Sequence, residues 1–298
     1  MNPTLKTLGY GADDRVVIFH ADDVGFSQAS VAAYADLIDF GLISSAATMV
    51  PCGWFPAVAA YCRAHPDVDM GVHATLTSEW DACRWRPTST ADPTSGLIDT
   101  EGYFYRSVAE AREHGDPTAA QIELNTQVER ALAAGIDLTH IDTHMLTVIH
   151  PKYLQIYVQT ALTHRLPLML PQWDRDTLIA HGLGAATADA GITAMKALAA
   201  QGVPLFDHIA MAPLQDIPDD RIGHLKEMIR TLPPGLTHFV IHPSKDTPEL
   251  RAIADDWRAR VGDYEAFTSE TLRAFVAAEG IHVVGYRALR DVLRGEQL

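Results

Sequence analysis

A chain of 298 residues, 47% hydrophobic and 20% charged, can bury a sizeable core, which excludes a disordered polypeptide. Its formal charge of −15 argues against nucleic acid or an anionic membrane surface as partner. No apolar run reaches about 18 residues, and neither an export signal nor a membrane span is expected. Its three cysteines, Cys52, Cys62 and Cys83, form no CxxC pair, so the expectation is a cytoplasmic protein with reduced thiols.

The first predicted strand is the β-branched and aromatic run Val16-Val17-Ile18-Phe19, which ends in His20-Ala21-Asp22-Asp23-Val24-Gly25. Ser27 is an N-cap for a helix over 28–40, closed by Gly41. Strand 46–51, helix 54–64 and strand 70–76 follow. The stretch 78–116 then breaks the rhythm: it carries Pro87, Pro93, Gly96, Gly102 and Gly115 together with Trp80, Trp85, Tyr103 and Phe104. It is too long for an ordinary connection and reads as a functional loop insertion, a lid or wall over a site. Alternation resumes with a helix from Pro117 to Gly135, strand 138–142, helix 151–163, strand 166–170 and a helix over 188–200. Strand 206–211, helix 219–231, strand 237–241, helix 269–278, strand 282–286 and a last short helix complete the chain. No linker or shift of composition divides it, so residues 1–298 read as one α/β domain. Seven or eight βα units favour a distorted TIM-like (β/α) barrel over an open doubly wound sheet.

Charged side chains are rarely buried unless paired or bound to metal, so a buried strand that ends in two adjacent aspartates reads as a site. Two later strands end in histidine, at His73 and His144, and a third at His242. In a βα-barrel all of these fall on the C-terminal rim, where function resides. One aspartate and two imidazoles there would make a metal site with open positions. Adjacent residues of a regular strand face opposite ways, so Asp22 and Asp23 can serve one site only if the strand has ended and the chain is turning, with Gly25 directly after. Asp142, two residues before His144, is positioned to orient an imidazole.

Five stretches, in order, resemble the YdjC-like carbohydrate deacetylases. They are Ala21-Asp22-Asp23-Val24-Gly25-Phe26-Ser27, Gly71-Val72-His73-Ala74-Thr75-Leu76-Thr77, the loop from Ser95 to Phe104, Thr139-His140-Ile141-Asp142-Thr143-His144 and Ile241-His242-Pro243. The resemblance covers about residues 15–290, essentially the whole chain. The resemblance implies a distorted TIM-like barrel with one divalent metal ion, removing an N-acetyl group from a small amino sugar or oligosaccharide. By the same resemblance, Asp23, His73 and His144 would be the metal ligands, Asp22 the general base and His242 the general acid. Two positions depart from the family pattern. Met145-Leu146-Thr147-Val148 stands where the family carries further histidines, leaving His144 as the ligand candidate and His150 as a substitute to test. Ser244 stands where the family has glycine. Asp plus two His suits zinc, while magnesium, manganese, cobalt and nickel stay open.

The residues themselves support hydrolysis, because amide cleavage needs an activated water, a stabilised oxyanion and a proton for the amine. A metal-dependent sugar isomerase or aldolase on the same barrel would need a rim Lys or Glu to shuttle a proton. A catalytically inactive sugar- or metal-binding protein would need neither Asp22 nor His242. His20, His140 and His238 lie inside strands and read as packing residues. His65, His114, His164, His181, His224 and His282 read as surface or helix-end residues. Trp80, Trp85 and Trp173 could stack on a sugar, though aromatic core packing is commoner. The sequence leaves the oligomeric state open, a homodimer included.

Overall fold

The computed structural model describes residues 2–180, 184–215 and 218–296; His181 lies outside them. Seven parallel strands form one sheet: β1 (Arg15–Val24), β2 (Ser45–Thr48), β3 (Met70–Ala74), β4 (Leu138–Thr143), β5 (His208–Met211), β6 (Gly235–Ile241) and β7 (His282–Val283). Their order is β4-β3-β2-β1-β6-β5, with β7 against β1. β1 is the axis of the fold because Val16 to Phe19 are apolar on both faces, as a strand covered on both sides requires. It pairs with β6 in unbroken register from Arg15↔Gly235 to Ala21↔Ile241. On its other edge, β7 takes the first part (Val16↔His282) and β2 the last (His20↔Ser45).

Alternation along β1 divides the interior in two. Val17, Phe19 and Ala21 join the large core beneath the surrounding helices. Val16 and Ile18 join a smaller cluster with Phe206, Leu236, Tyr286 and Leu289. His20, His140 and His238 share that second face, where the His140 ring stacks on Tyr286 at 3.7 Å and the Tyr286 hydroxyl lies 3.1 Å from His238 Nδ1. Burial keeps the pKa values of His140 and His238 well below the usual histidine value, so both are neutral packing residues. His20 behaves differently, as described below.

The ladder is not closed between β4 and β5. The expected strand 166–170 contributes only single bridges, Ile141↔Leu168 and Pro171↔Phe206. Pro167 and Pro171 have no N–H to donate, which prevents a continuous ladder there. The architecture is therefore a curled, nearly closed βα sheet of seven strands. The helix over Gln28–Phe40 has the expected bounds, with the Ser27 side chain accepting Ser30 N–H and Gly41 in the left-handed conformation (φ 79°). Helices over Val108–His114, Arg175–Ala180, Pro248–Ile253 and Trp257–Phe267 lack a clear amphipathic period and are found only in the structure.

Two irregularities of register shape the sheet. On β1, Ala21 pairs with Ala46 and Val24 with Thr48, so β1 carries one residue more than β2 at Asp22–Asp23. On β4, Leu138 pairs with Met70 and Ile141 with Val72, so the extra residue falls at Thr139–His140. Gly71 lies opposite this second bulge, and a Cβ there would sit 2.4 Å from His140 Nε2. Gly71→Ala should therefore cost about 1–3 kcal/mol of stability in urea denaturation, as overpacked core positions do. Gly53→Ala, where nothing lies within 4 Å of the added methyl, should be near neutral.

Candidate active site

The bulge corrects one expectation: β1 has not ended at the aspartates but continues through Val24. Asp23 adopts φ 62°, a left-handed conformation that aspartate tolerates better than most residues. The extra residue rotates Asp23 off the helix-facing side, so that both carboxylates face the same rim. Asp23 Oδ1 lies 3.2 Å from His73 Nε2 and 3.0 Å from His144 Nδ1. His73 comes from β3, and His144 is the first residue after β4. One donor atom each from Asp23, His73 and His144 lies within 4.8 Å of the other two, and all three residues are buried.

These residues fit a divalent cation. Asp23 Oδ1 is buried without a hydrogen bond, although two imidazole nitrogens approach it. A carboxylate and two imidazoles form a donor set suited to zinc and similar ions. The charge demanded by the surrounding carboxylates is met by protons. Burial opposes the His144 imidazolium, yet Glu79 and Asp23 push its pKa up to about 9. His73 is raised well above the usual value against the same penalty by Asp142 and Asp22. A metal ion would take the place of these protons.

Each ligand candidate has a partner behind it. Asp142 pairs with His73 across β3 and β4, and its Oδ1 lies 2.8 Å from His73 Nδ1. Asp142 thus orients His73, not the nearer-in-sequence His144. His144 Nε2 is met by both oxygens of Glu79, at 3.1 and 3.0 Å. Asp23 Oδ2 accepts from Arg260 Nη1 at 2.8 Å, and Asp256 holds the rest of that guanidinium at 2.7 and 3.0 Å. The Arg260 side chain is buried against the packed rings of Phe26 and Trp80, 5.2 and 5.1 Å from their centroids. Burial opposes the charge of Asp23, but His144 and Arg260 hold its carboxyl well below the usual range.

Asp22 and His242 stand beside this group. Asp22 Oδ2 is 3.7 Å from His73 Nε2 and 3.8 Å from His242 Nε2. His242 follows β6 directly, and its backbone N–H donates to Asp263 Oδ2 at 3.0 Å. Burial lowers the His242 pKa, only partly offset by Asp23 and Asp22. His20 is not a plain packing residue: its Nε2 lies 2.8 Å from Asp142 Oδ2 and 3.1 Å from Asp22 Oδ1. Burial opposes its charge, but those two carboxylates push its pKa up to about 9, so one imidazolium links them. His150 does not join the group: its Nδ1 accepts Lys152 N–H at 3.2 Å.

The 78–107 stretch covers the site as a roof pinned by its own contacts. Ser78 N–H donates to Tyr105 O at 2.8 Å, and Trp85 Nε1 donates to Thr77 O at 2.8 Å. The buried Glu123 carboxylate accepts Thr88 N–H at 2.9 Å and Ser89 N–H at 2.7 Å. Trp80 packs on Phe26 (4.6 Å) and Trp85 (5.6 Å), and both tryptophans are buried. They are structural and leave no open face for a sugar. Sequence reasoning missed Arg260 and Glu79. Arg260 sits on the Trp257–Phe267 helix, which was not predicted. Glu79 follows His73 by six residues, at no spacing that marks a partner for a histidine 65 residues later.

A curled parallel βα sheet with an Asp–His–His group on its rim, and an Asp–His pair beside it, defines a barrel-type protein able to hold one divalent ion. The chain belongs to the YdjC-like protein family, whose model matches residues 16–278. It is 32% identical over 289 residues to a carbohydrate deacetylase of Thermus thermophilus, covering 97% of this chain and 98% of that one. A carbohydrate deacetylase of Thermoanaerobacter pseudethanolicus is 23% identical over 276 residues, covering 93% and 100%. The fold is shared with a crystal structure from Enterococcus faecalis described as a cellobiose-phosphate cleavage protein, at TM-score 0.75 and 20% identity, covering 93% and 99% of the two chains.

Arg260→Met should strand the buried Asp23 charge and cost about 3–5 kcal/mol in chemical denaturation. Arg260→Lys should recover only part of that loss, because lysine lacks the fork that reaches Asp23 and Asp256 together.

Proposed function

We propose that this protein is a metal-dependent carbohydrate N-deacetylase, acting on an N-acetylated amino sugar or short oligosaccharide. The observation that carries the reading is the convergence of the His73 and His144 nitrogens on one buried oxygen of Asp23, with Asp22 and His242 alongside. Membership of the YdjC-like family and relatives named carbohydrate deacetylases support the substrate class. On this reading the chain is one catalytic domain whose 78–116 insertion roofs the site.

A divalent ion held by Asp23, His73 and His144 would supply Lewis-acid polarisation of the acyl carbonyl and acidify a water. Asp22 accepts the proton of the attacking water at Oδ2. His242, neutral at rest because it is buried and, at 3.8 Å from Asp22 Oδ2, too far for direct transfer, receives that proton through one bridging water and gives it to the departing amine. Arg260 keeps Asp23 ionised and leaves Oδ1 directed at the imidazoles. Phe26, Trp80 and Trp85 shield the group from bulk water, which strengthens each of these interactions. A sugar isomerase or aldolase would need a rim Lys or Glu free to move a proton, and Glu79 has both oxygens on His144.

Purified protein supplied with zinc or magnesium should release acetate from N-acetylglucosamine or diacetylchitobiose. Asp22→Asn and His242→Ala should keep fold and metal yet lose about 10²–10⁴-fold in kcat, since positioned proton transfer contributes that much. Asp23→Ala should lose the metal by elemental analysis. Absence of acyl release from every N-acyl amino sugar, with every metal tried, would remove the reading.

Metal uptake should depend on pH with a definite sign. His144, with its pKa near 9, holds a proton at neutral pH that ligation must displace. Apparent affinity should therefore rise as pH increases from neutral towards about 9. Calorimetry at pH 7 in two buffers of different ionisation enthalpy should register proton release on binding.

A further inference from the structure

Roof residue Glu79 lies outside the ligand and acid–base roles above, yet both its oxygens meet His144 Nε2, at 3.1 and 3.0 Å. The opposite ring nitrogen, Nδ1, is the one aimed at Asp23 Oδ1, at 3.0 Å. An imidazole that ligates through Nδ1 must carry its single proton on Nε2, and a carboxylate is the acceptor that fixes that proton. His73 is wired the other way: Asp142 takes Nδ1, and Nε2 faces Asp23. We propose that Glu79 is a positioning residue that sets the Nε2–H tautomer of His144, so that His144 binds metal through Nδ1. This deepens the deacetylase reading and rests on its metal site.

The position of Glu79 gives the role a second consequence. Ser78 is tied into the roof through Tyr105 O and Trp85 N, and Trp80 covers Arg260, which holds Asp23. Two consecutive residues, Glu79 and Trp80, thus join the roof to two of the three ligand candidates. Ordering of the roof and occupancy of the metal site are therefore coupled, and by linkage each favours the other by the same factor.

The test measures zinc affinity by competition with a chromophoric chelator, for wild type, Glu79→Ala, Glu79→Gln and Glu101→Ala. Glu101 is an exposed roof carboxylate that pairs with Arg84 and Arg106, so its variant controls for loss of a roof charge and its ion pairs. Glu79→Ala should bind zinc about 10–100-fold more weakly, the usual effect of removing such a partner. Glu79→Gln, whose amide oxygen can still accept Nε2–H, should lose less, and Glu101→Ala should match wild type. Long-range proton–nitrogen spectra of the zinc-loaded wild type should show His144 protonated at Nε2. Hydrogen exchange of residues 78–107 should slow on zinc binding in wild type and not in Glu79→Ala. A folded Glu79→Ala that binds zinc like wild type, or a His144 protonated at Nδ1 in the loaded protein, overturns the role of Glu79 alone. A wild type that takes up no zinc, magnesium or other divalent ion removes the metal reading itself, and this role with it.

Discussion

The bulge at Asp22–Asp23 is the constraint on which the site depends. In a regular strand these neighbours would point to opposite faces, one to the rim and one to the helices. One extra residue between Ala21 and Val24, with Asp23 at φ 62°, puts both carboxylates on one side. The backbone strain of a non-glycine residue there is of order 1–3 kcal/mol and persists because the surroundings over-determine it. β1 is locked to β6 through Ala21, re-engages β2 at Val24, and continues into Gly25, whose N–H donates to Ser30 Oγ at 3.1 Å. Strain held by a well-paired central strand is a common way for a fold to aim functional groups.

The second constraint is charge. Four carboxylates (Asp22, Asp23, Asp142 and Glu79) lie close together under a roof, and their repulsion is relieved by two kinds of cation. Arg260 cannot lose its proton, so Asp23 stays ionised at any working pH. The imidazoles of His73 and His144 hold protons that a metal ion can displace. The two oxygens of Asp23 therefore have separate roles: Oδ2 satisfies Arg260, and Oδ1 is left for a ligand. His20 does for the pair Asp22 and Asp142 what Arg260 does for Asp23, which ties the base to the residue that orients His73. Removing one of its cations, Arg260 or His20, leaves a buried carboxylate uncompensated, so those substitutions will affect folding as well as chemistry.

The roof is not a loose lid. Glu123 clamps its backbone, its tryptophans are buried, and its first turn reaches Asp23 through Arg260 and His144 through Glu79. Neither Trp80 nor Trp85 offers an open ring face at the rim. Met145 and Leu146, directly after His144, are among the exposed apolar side chains, both with positive φ (51° and 53°).

The sequence by itself determined the βα alternation, the helix over Gln28–Phe40 with both caps, and the rim positions of Asp22, Asp23, His73, His144 and His242. These follow from local chemistry: apolar runs make strands, Ser27 and Gly41 punctuate a helix, and a buried strand that ends in charge marks a site. Only the tertiary structure decided how those residues engage. The bulge depends on registers against two neighbouring strands, which no single strand encodes. Pro167 and Pro171 removed a strand that its apolar pattern had suggested. Arg260 and Glu79 were invisible because their partners lie 237 and 65 residues away in sequence, and pairing at that separation is a property of packing. His20 read as core because it lies in a buried strand, and it carries a charge because Asp22 and Asp142 converge on it.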